Sequence, residues 1–205
     1  NFDVTINNAV LGASANFDFT SVSDENGTIK STISNMTSTE RQDASYFISN
    51  STAGISTMNI DGLSLSSTIY NVFETFNMNY NVGYPSISNI NLSNSKISAD
   101  TGGNQFHTDD GDGSESHIIV TNSDLKGSYD IDMQNHASYS ELIFINTTID
   151  QNYTPTSAVG SGWQNNGQIR VYAHHAGEVV ITLDNTDLTM NGSNNWNITA
   201  LDAGS

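Results

Sequence analysis

An apolar residue followed two positions later by Asn or Gly recurs along this chain. It occurs at Ile6/Asn8, Ile33/Asn35, Ile60/Gly62, Leu92/Asn94, Val120/Asn122, Phe144/Asn146 and Leu183/Asn185. Successive turn residues stand 27, 27, 32, 28, 24 and 39 positions apart, near the coil lengths of solenoid proteins. Steps that vary this much imply loops of variable length. In the last four copies the phrase lengthens to LSNSKI, VTNSDL, FINTTI and LDNTDL. A Ser or Thr then follows the Asn, and an aliphatic residue stands three positions after it.

Apolar residues alternate on both sides of the Asn, which is the strand period of two. Asn is the commonest non-Gly residue in the left-handed conformation, and Gly62 occupies it at little cost. Each copy therefore predicts strand, one-residue corner, strand. A further apolar strand precedes most corners, as in NFDFT (16–20), SYFIS (45–49), YNVFETF (70–76), YDIDM (129–133) and QIRVY (168–172), which gives three faces per coil. Stacked corners would put Asn8, Asn35, Gly62, Asn94, Asn122, Asn146 and Asn185 in one column with neighbours roughly 4.8 Å apart, where side-chain amides bond to one another. The predicted fold is all-β: a single-stranded parallel β-helix, or β-solenoid, of about seven coils with an Asn ladder at its corners.

No linker interrupts the repeats, so residues 1–205 read as one elongated domain. The 36% hydrophobic content suits a thin solenoid core better than a globule. WNITAL (196–201) would begin the first face of an eighth coil, and a solenoid ending in mid-coil predicts that the natural chain runs on. With 5 Lys and Arg against 22 Asp and Glu, the formal charge of −17 repels phosphate backbones and anionic lipid. Nucleic acid is thereby excluded as an expected partner. Zero cysteines remove disulfides and thiolate metal sites. No run approaches the roughly 20 apolar residues of a membrane-spanning helix, so this segment is not expected to insert in a membrane.

The segment HTDDGDGSES (107–116) concentrates Asp109, Asp110, Asp112 and Glu115 with two glycines. Carboxylates on a turn are what calcium prefers, so these four are the candidate metal ligands and calcium the one suggested cofactor. The spacing is not that of an EF-hand, and a solvated acidic loop is the simpler reading. Asp109 and Asp110 also invite comparison with the carboxylate pairs of glycosidases, but adjacent strand residues point to opposite faces. His136 and His175 each precede a turn Asn by ten positions, so consecutive coils would stack them. Pro85 and Pro155 fall between coils and mark excursions, at 77–85 and 151–167. In the longer one, Asn152, Tyr153 and Trp163, with Tyr139 nearby, form a candidate aromatic platform for a sugar ring or a partner protein.

GSNNWNITAL (192–201), following VVITLDNTDLTMNG (179–192), resembles the passenger domains of bacterial autotransporters of the pertactin-like kind. Gly192, Ser193, Trp196, Ile198 and Thr199 match the family phrase of a Gly/Ser corner leading to Trp-x-apolar-Thr. The resemblance implies a right-handed helix, a piece of a longer passenger, and export across the outer membrane to the bacterial surface. It also implies a virulence-associated role in adhesion, aggregation or biofilm formation. On that expectation the chain is a non-enzymatic adhesin whose partner is a host-surface glycan, a matrix protein or another copy of itself. The alternative is a β-helix that binds or degrades polysaccharide, as a glycoside hydrolase or lyase.

Overall fold

The computed structural model describes residues 1–12, 16–23, 26–38, 42–77, 86–111, 113–136, 138–150, 168–174, 177–189 and 197–202. Every regular element among the described residues is a strand. In chain order the strands are β1 (Phe2–Asn7), β2 (Val10–Leu11), β3 (Asn16–Ser23), β4 (Thr28–Ser34), β5 (Thr37–Ser38), β6 (Gln42–Ser51), β7 (Ile55–Asp61), β8 (Ser64–Asn77) and β9 (Ser86–Ser93). There follow β10 (Lys96–Asp110), β11 (Ser114–Thr121), β12 (Asp124–His136), β13 (Tyr139–Ile145), β14 (Thr148–Asp150), β15 (Gln168–His174), β16 (Glu178–Asp184), β17 (Asp187–Thr189) and β18 (Asn197–Asp202).

The strands stack as a parallel β-solenoid. One seven-stranded sheet runs β1-β4-β7-β9-β11-β13-β16, its strands in chain order. These are the strands that lead into the corners. Their register sets Ile6, Ile33, Ile60, Leu92, Val120, Phe144 and Leu183 in one row. Side chains alternate as the sequence predicts: along β9, Ser86, Ser88, Ile90 and Leu92 are buried while Ile87, Asn89, Asn91 and Ser93 face outward.

The other two expected faces belong to one eleven-stranded sheet. The short strands leaving the corners form the path β17-β14-β12-β10-β8-β5-β2, while β3, β6, β15 and β18 join through β8 and β12. Strands β8, β10 and β12 are therefore long, at 14, 15 and 13 residues, because each carries both faces without a break. Shifts of register within β10, between Ser98 and Gly103 against β12, mark where the path bends from one face to the other.

The core is one cluster running between the two sheets from Ile33 to Ile149. Its centre is a file of phenylalanines. Phe47 and Phe73 stack with ring centres 5.1 Å apart, Phe73 and Phe106 at 5.2 Å, and Phe144 closes the file edge-on to Phe106 at 5.3 Å. All four rings are fully buried. Parallel in-register pairing puts like residues of successive coils one strand spacing apart, the distance at which offset rings attract.

Candidate functional site

At the corners Asn8, Asn35, Asn94, Asn122, Asn146 and Asn185 have φ between 46° and 56°, and Gly62 has φ 69°. A corner of one residue keeps the backbone hydrogen-bonded on both sides. The N–H of Asn94 donates to the Thr121 carbonyl of the following coil, at 3.1 Å, and that of Lys96 to the Leu63 carbonyl of the preceding one, at 2.8 Å. The residue after the corner points inward. Where it is Ser or Thr, its hydroxyl turns back to the carbonyl two residues earlier: Ser95 to Ser93 at 2.7 Å, Ser123 to Thr121 at 2.8 Å, Thr147 to Ile145 at 3.0 Å. That bond gives the Asn-Ser/Thr pair in the last four copies its physical reason.

The Asn side chains lie on the surface. Nδ2 of Asn185 donates to Oδ1 of Asn146 at 2.7 Å, that of Asn146 to Asn122 at 3.3 Å, and that of Asn122 to Asn94 at 3.5 Å. At Gly62 no amide exists to continue the series. Asn94 donates instead to the carboxylate of Asp61 at 2.7 Å, and Asn35 to Oδ1 of Asn7 at 3.3 Å. The Ser93 hydroxyl and the Asn94 amide together hold the Asp61 carboxyl below the ordinary carboxylate range, against a smaller opposing effect of burial. Asn94, Asn122 and Asn146, with Ser95, Ser123, Lys96 and Asp124, line a shallow groove beside the corners.

The acidic segment is built differently from a cation-binding turn. Asp109 and Asp110 end strand β10, so alternation sends them to opposite sides: Asp109 outward, Asp110 into the core with no exposure. Buried Asp110 accepts hydrogen bonds from the hydroxyls of Ser116 and Ser140, which come from β11 and β13, as a carboxylate removed from water requires. Glu115 is exposed on β11. Asp109, Asp110 and Glu115 are thus not brought together, and Asp112 lies outside the described residues. Among the described residues no group of three or more His, Cys, Asp or Glu side chains is placed to hold a metal ion. Nor do Asp109 and Asp110 share a cleft in which one could act as acid and the other as base.

Tyr139 of the expected aromatic platform stands on the outward face of β13, while Asn152, Tyr153 and Trp163 lie outside the described residues. Gly192, Ser193 and Trp196 do so as well, and Ile198 and Thr199 lie on β18. The histidine pairing differs from expectation. His136 is in register with His174, not His175, because the chain takes one residue more to pass from His174 to Glu178 than from His136 to Tyr139.

Around Tyr139 the structure assembles a group that the sequence reading missed. His117 Nδ1 lies 3.2 Å from Glu141 Oε2, and its Nε2 3.7 Å from Glu115 Oε2. The His117 and Tyr139 rings are 5.7 Å apart. Glu178 pairs with Tyr139 on the next strand. Burial raises the Tyr139 phenol above its ordinary value, and Glu141, Glu178 and Glu115 push the same way. Local sequence carries no sign of this cluster, but counting back from each turn Asn does: His117 and Glu141 are both five positions before theirs. No protein-family description, no curated protein and no solved structure matches the chain.

Proposed function

We propose that the chain is a non-enzymatic attachment segment of a bacterial surface protein, a passenger of the autotransporter kind. It acts outside the outer membrane as an adhesin or aggregation module. In this reading it forms a right-handed β-helix of about seven coils, its corners tied by a ladder of Asn amides interrupted at Gly62. The rod presents its outer walls to a host glycan, a matrix protein or another copy of itself. The observation that carries the reading is the unbroken register of the apolar-Asn/Gly repeat across the seven-stranded sheet. Register of that kind makes a stiff body whose outward Asn, Ser and Thr side chains recur at strand spacing. Many weak contacts on a stiff body add up when cells present many copies.

The test is display of the chain on a non-clumping bacterial strain, scored for aggregation and for retention on glycan-coated and matrix-coated surfaces. Gain of either is expected. A displayed, folded chain that confers neither would sink the proposal. Release of new reducing ends from a polysaccharide by the purified chain would replace it with the enzymatic alternative.

A further inference from the structure

We propose that the outward face of β11, β13 and β16 docks a basic, partly apolar segment of a partner protein, with a Lys or Arg side chain laid on Tyr139. The proposal rests on the attachment reading, in that it takes the outer wall as the working surface, and it adds the partner's chemistry.

Register places Glu115, Tyr139 and Glu178 in one outward row across the three strands. His117, Glu141 and Val180 form the next row, and Ile119 and Ile143 head the one after. Adjacent strands are about 4.8 Å apart and alternate residues of a strand about 7 Å, so one extended segment of a partner could span all three rows. The equivalent outward positions on β7 and β9 are Ile55, Thr57 and Asn59, then Ile87, Asn89 and Asn91, with neither a carboxylate nor an aromatic ring among them. The wall therefore changes character along its length: the Glu115 row turns from isoleucines to carboxylates and a tyrosine, and the rows of His117 and Ile119 turn from amides and a hydroxyl to charged and apolar side chains. The described strands that pack on β11, β13 and β16 are their sheet neighbours or strands facing them across the core. None of these covers the outer face.

Charge chooses the occupant. The chain carries −17 with 5 basic residues in 205, so a second copy brings like charge to a face rimmed by glutamates, and polyanions are repelled. A basic segment is attracted. An aromatic ring beside carboxylates holds an ammonium or guanidinium by its face while the carboxylates take the charge. Ile119, Ile143 and Val180 offer apolar surface to the methylene stem of the same side chain or to its apolar neighbours. Burial is the main cause of the raised Tyr139 phenol, and Glu141, Glu178 and Glu115 add to it. His117 stands between Glu115 and Glu141, 3.7 Å from the one carboxylate and 3.2 Å from the other.

The probe is a fluorescein-labelled peptide of alternating Arg and Leu, titrated with the purified chain by fluorescence anisotropy. Its counterpart with Glu for Arg is the control peptide. Binding of the Arg peptide alone is expected. Replacing Glu115, Glu141 and Glu178 together by Gln should weaken it about tenfold or more. A charge-matched variant elsewhere, Asp3→Asn with Asp18→Asn and Asp187→Asn, should weaken it less than about twofold. Tyr139→Ala should weaken it about three- to tenfold with charge unchanged, and Tyr139→Phe, which keeps the ring, should restore it.

Equal weakening by the charge-matched variant would overturn the proposal, since the attraction would then belong to the whole acidic surface. So would full binding by Tyr139→Ala, or no binding by the parent chain. Sedimentation showing this face buried between two copies would also overturn it. Cell attachment that survives the triple Gln substitution would sink the docking surface and leave the attachment reading standing. Peptide binding at this face without cell attachment would do the reverse.

Discussion

Asparagine at the corners combines two properties that no other side chain supplies together. It accepts φ near 50°, and it carries a donor and an acceptor at the right length to bond the next corner. Substitution at Asn122 separates the two. Asn122→Ala should lose both, at roughly 1–2 kcal/mol for the left-handed backbone and about 0.5–1.5 kcal/mol for the exposed amide bonds. Asn122→Gly should lose only the second. Denaturant midpoints measure both variants, and equal costs would show that the backbone conformation is not what Asn relieves. Gly62 is the natural form of the second variant, and an added Cβ would stand 3.2 Å from Oδ1 of Asn35. Beside it Asp61 takes over as acceptor for Ser93 and Asn94, and the sign of its pH dependence follows. A carboxyl depressed in the folded state binds its proton more weakly there than in the unfolded chain. Its stabilising contribution is therefore present above the ordinary carboxylate pKa and disappears as pH falls through the lowered folded value. Asp61→Asn should reduce stability at neutral pH and converge with the parent in acid, by a small amount because the group is exposed. A constant difference from neutral pH to acid would sink the assignment.

Strands were the most legible level, since alternation around the Asn matches the buried and outward positions of β7, β9, β11 and β13, although on the outer strand β16 Leu183 of the same repeat is exposed. The fused faces were less legible. Between Ser64 and Asn77 no Gly or Pro marks the bend, whereas in β10 Gly102 and Gly103, and in β12 Gly127 at φ 121°, stand at the shift of register, so glycine is a sign of the bend in two of the three long strands. Asp110 was misread for a related reason. Its Gly-rich surroundings suggest a loop, yet the period of two that buries Phe106 and Thr108 also buries Asp110. The candidate surface was half legible: Tyr139 stood out as an aromatic, while His117 and Glu141 meet only when coils are aligned on their corners. The phenylalanine file belongs to this scale too, since each ring supports the strand on either side. Phe73 stacks on Phe47 at one face and Phe106 at the other. Phe73→Ala should cost about 3–5 kcal/mol, and Phe73→Leu clearly less. Urea unfolding checks this, and a cost below about 1 kcal/mol for the alanine variant would mean that neighbouring coils collapse into the space.

Across the whole molecule, local strength meets a global opposing force. Each strand is held by the coils on either side of it, so stability accumulates along the stack. Charge acts over longer distances: −17 on 205 residues, with 5 cations to compensate, is self-repelling in the folded state. The attractive pairs do little to offset it. Lys126 and Asp124 meet at 3.7 Å on an exposed surface, a pair of the kind that contributes roughly 0–1 kcal/mol. Histidine supplies the cationic side of the contacts with Glu74, Glu115 and Glu141, and it is charged only when protonated. Salt therefore has much repulsion to screen and little attraction to lose. Raising NaCl from about 0.01 M to 0.15 M shortens the screening length from roughly 30 Å to 8 Å. That range covers charges separated by two or more coils, since adjacent strands are about 4.8 Å apart. The melting temperature should rise over this interval by a few degrees, equivalent to about 1–2 kcal/mol for a chain of this size. It should then level off, since closer charges are screened little further. Replacing several outward acids by their amides should remove most of the rise. A melting temperature that falls as salt is added would mean that attraction between charged groups, not repulsion, governs the stability of the rod.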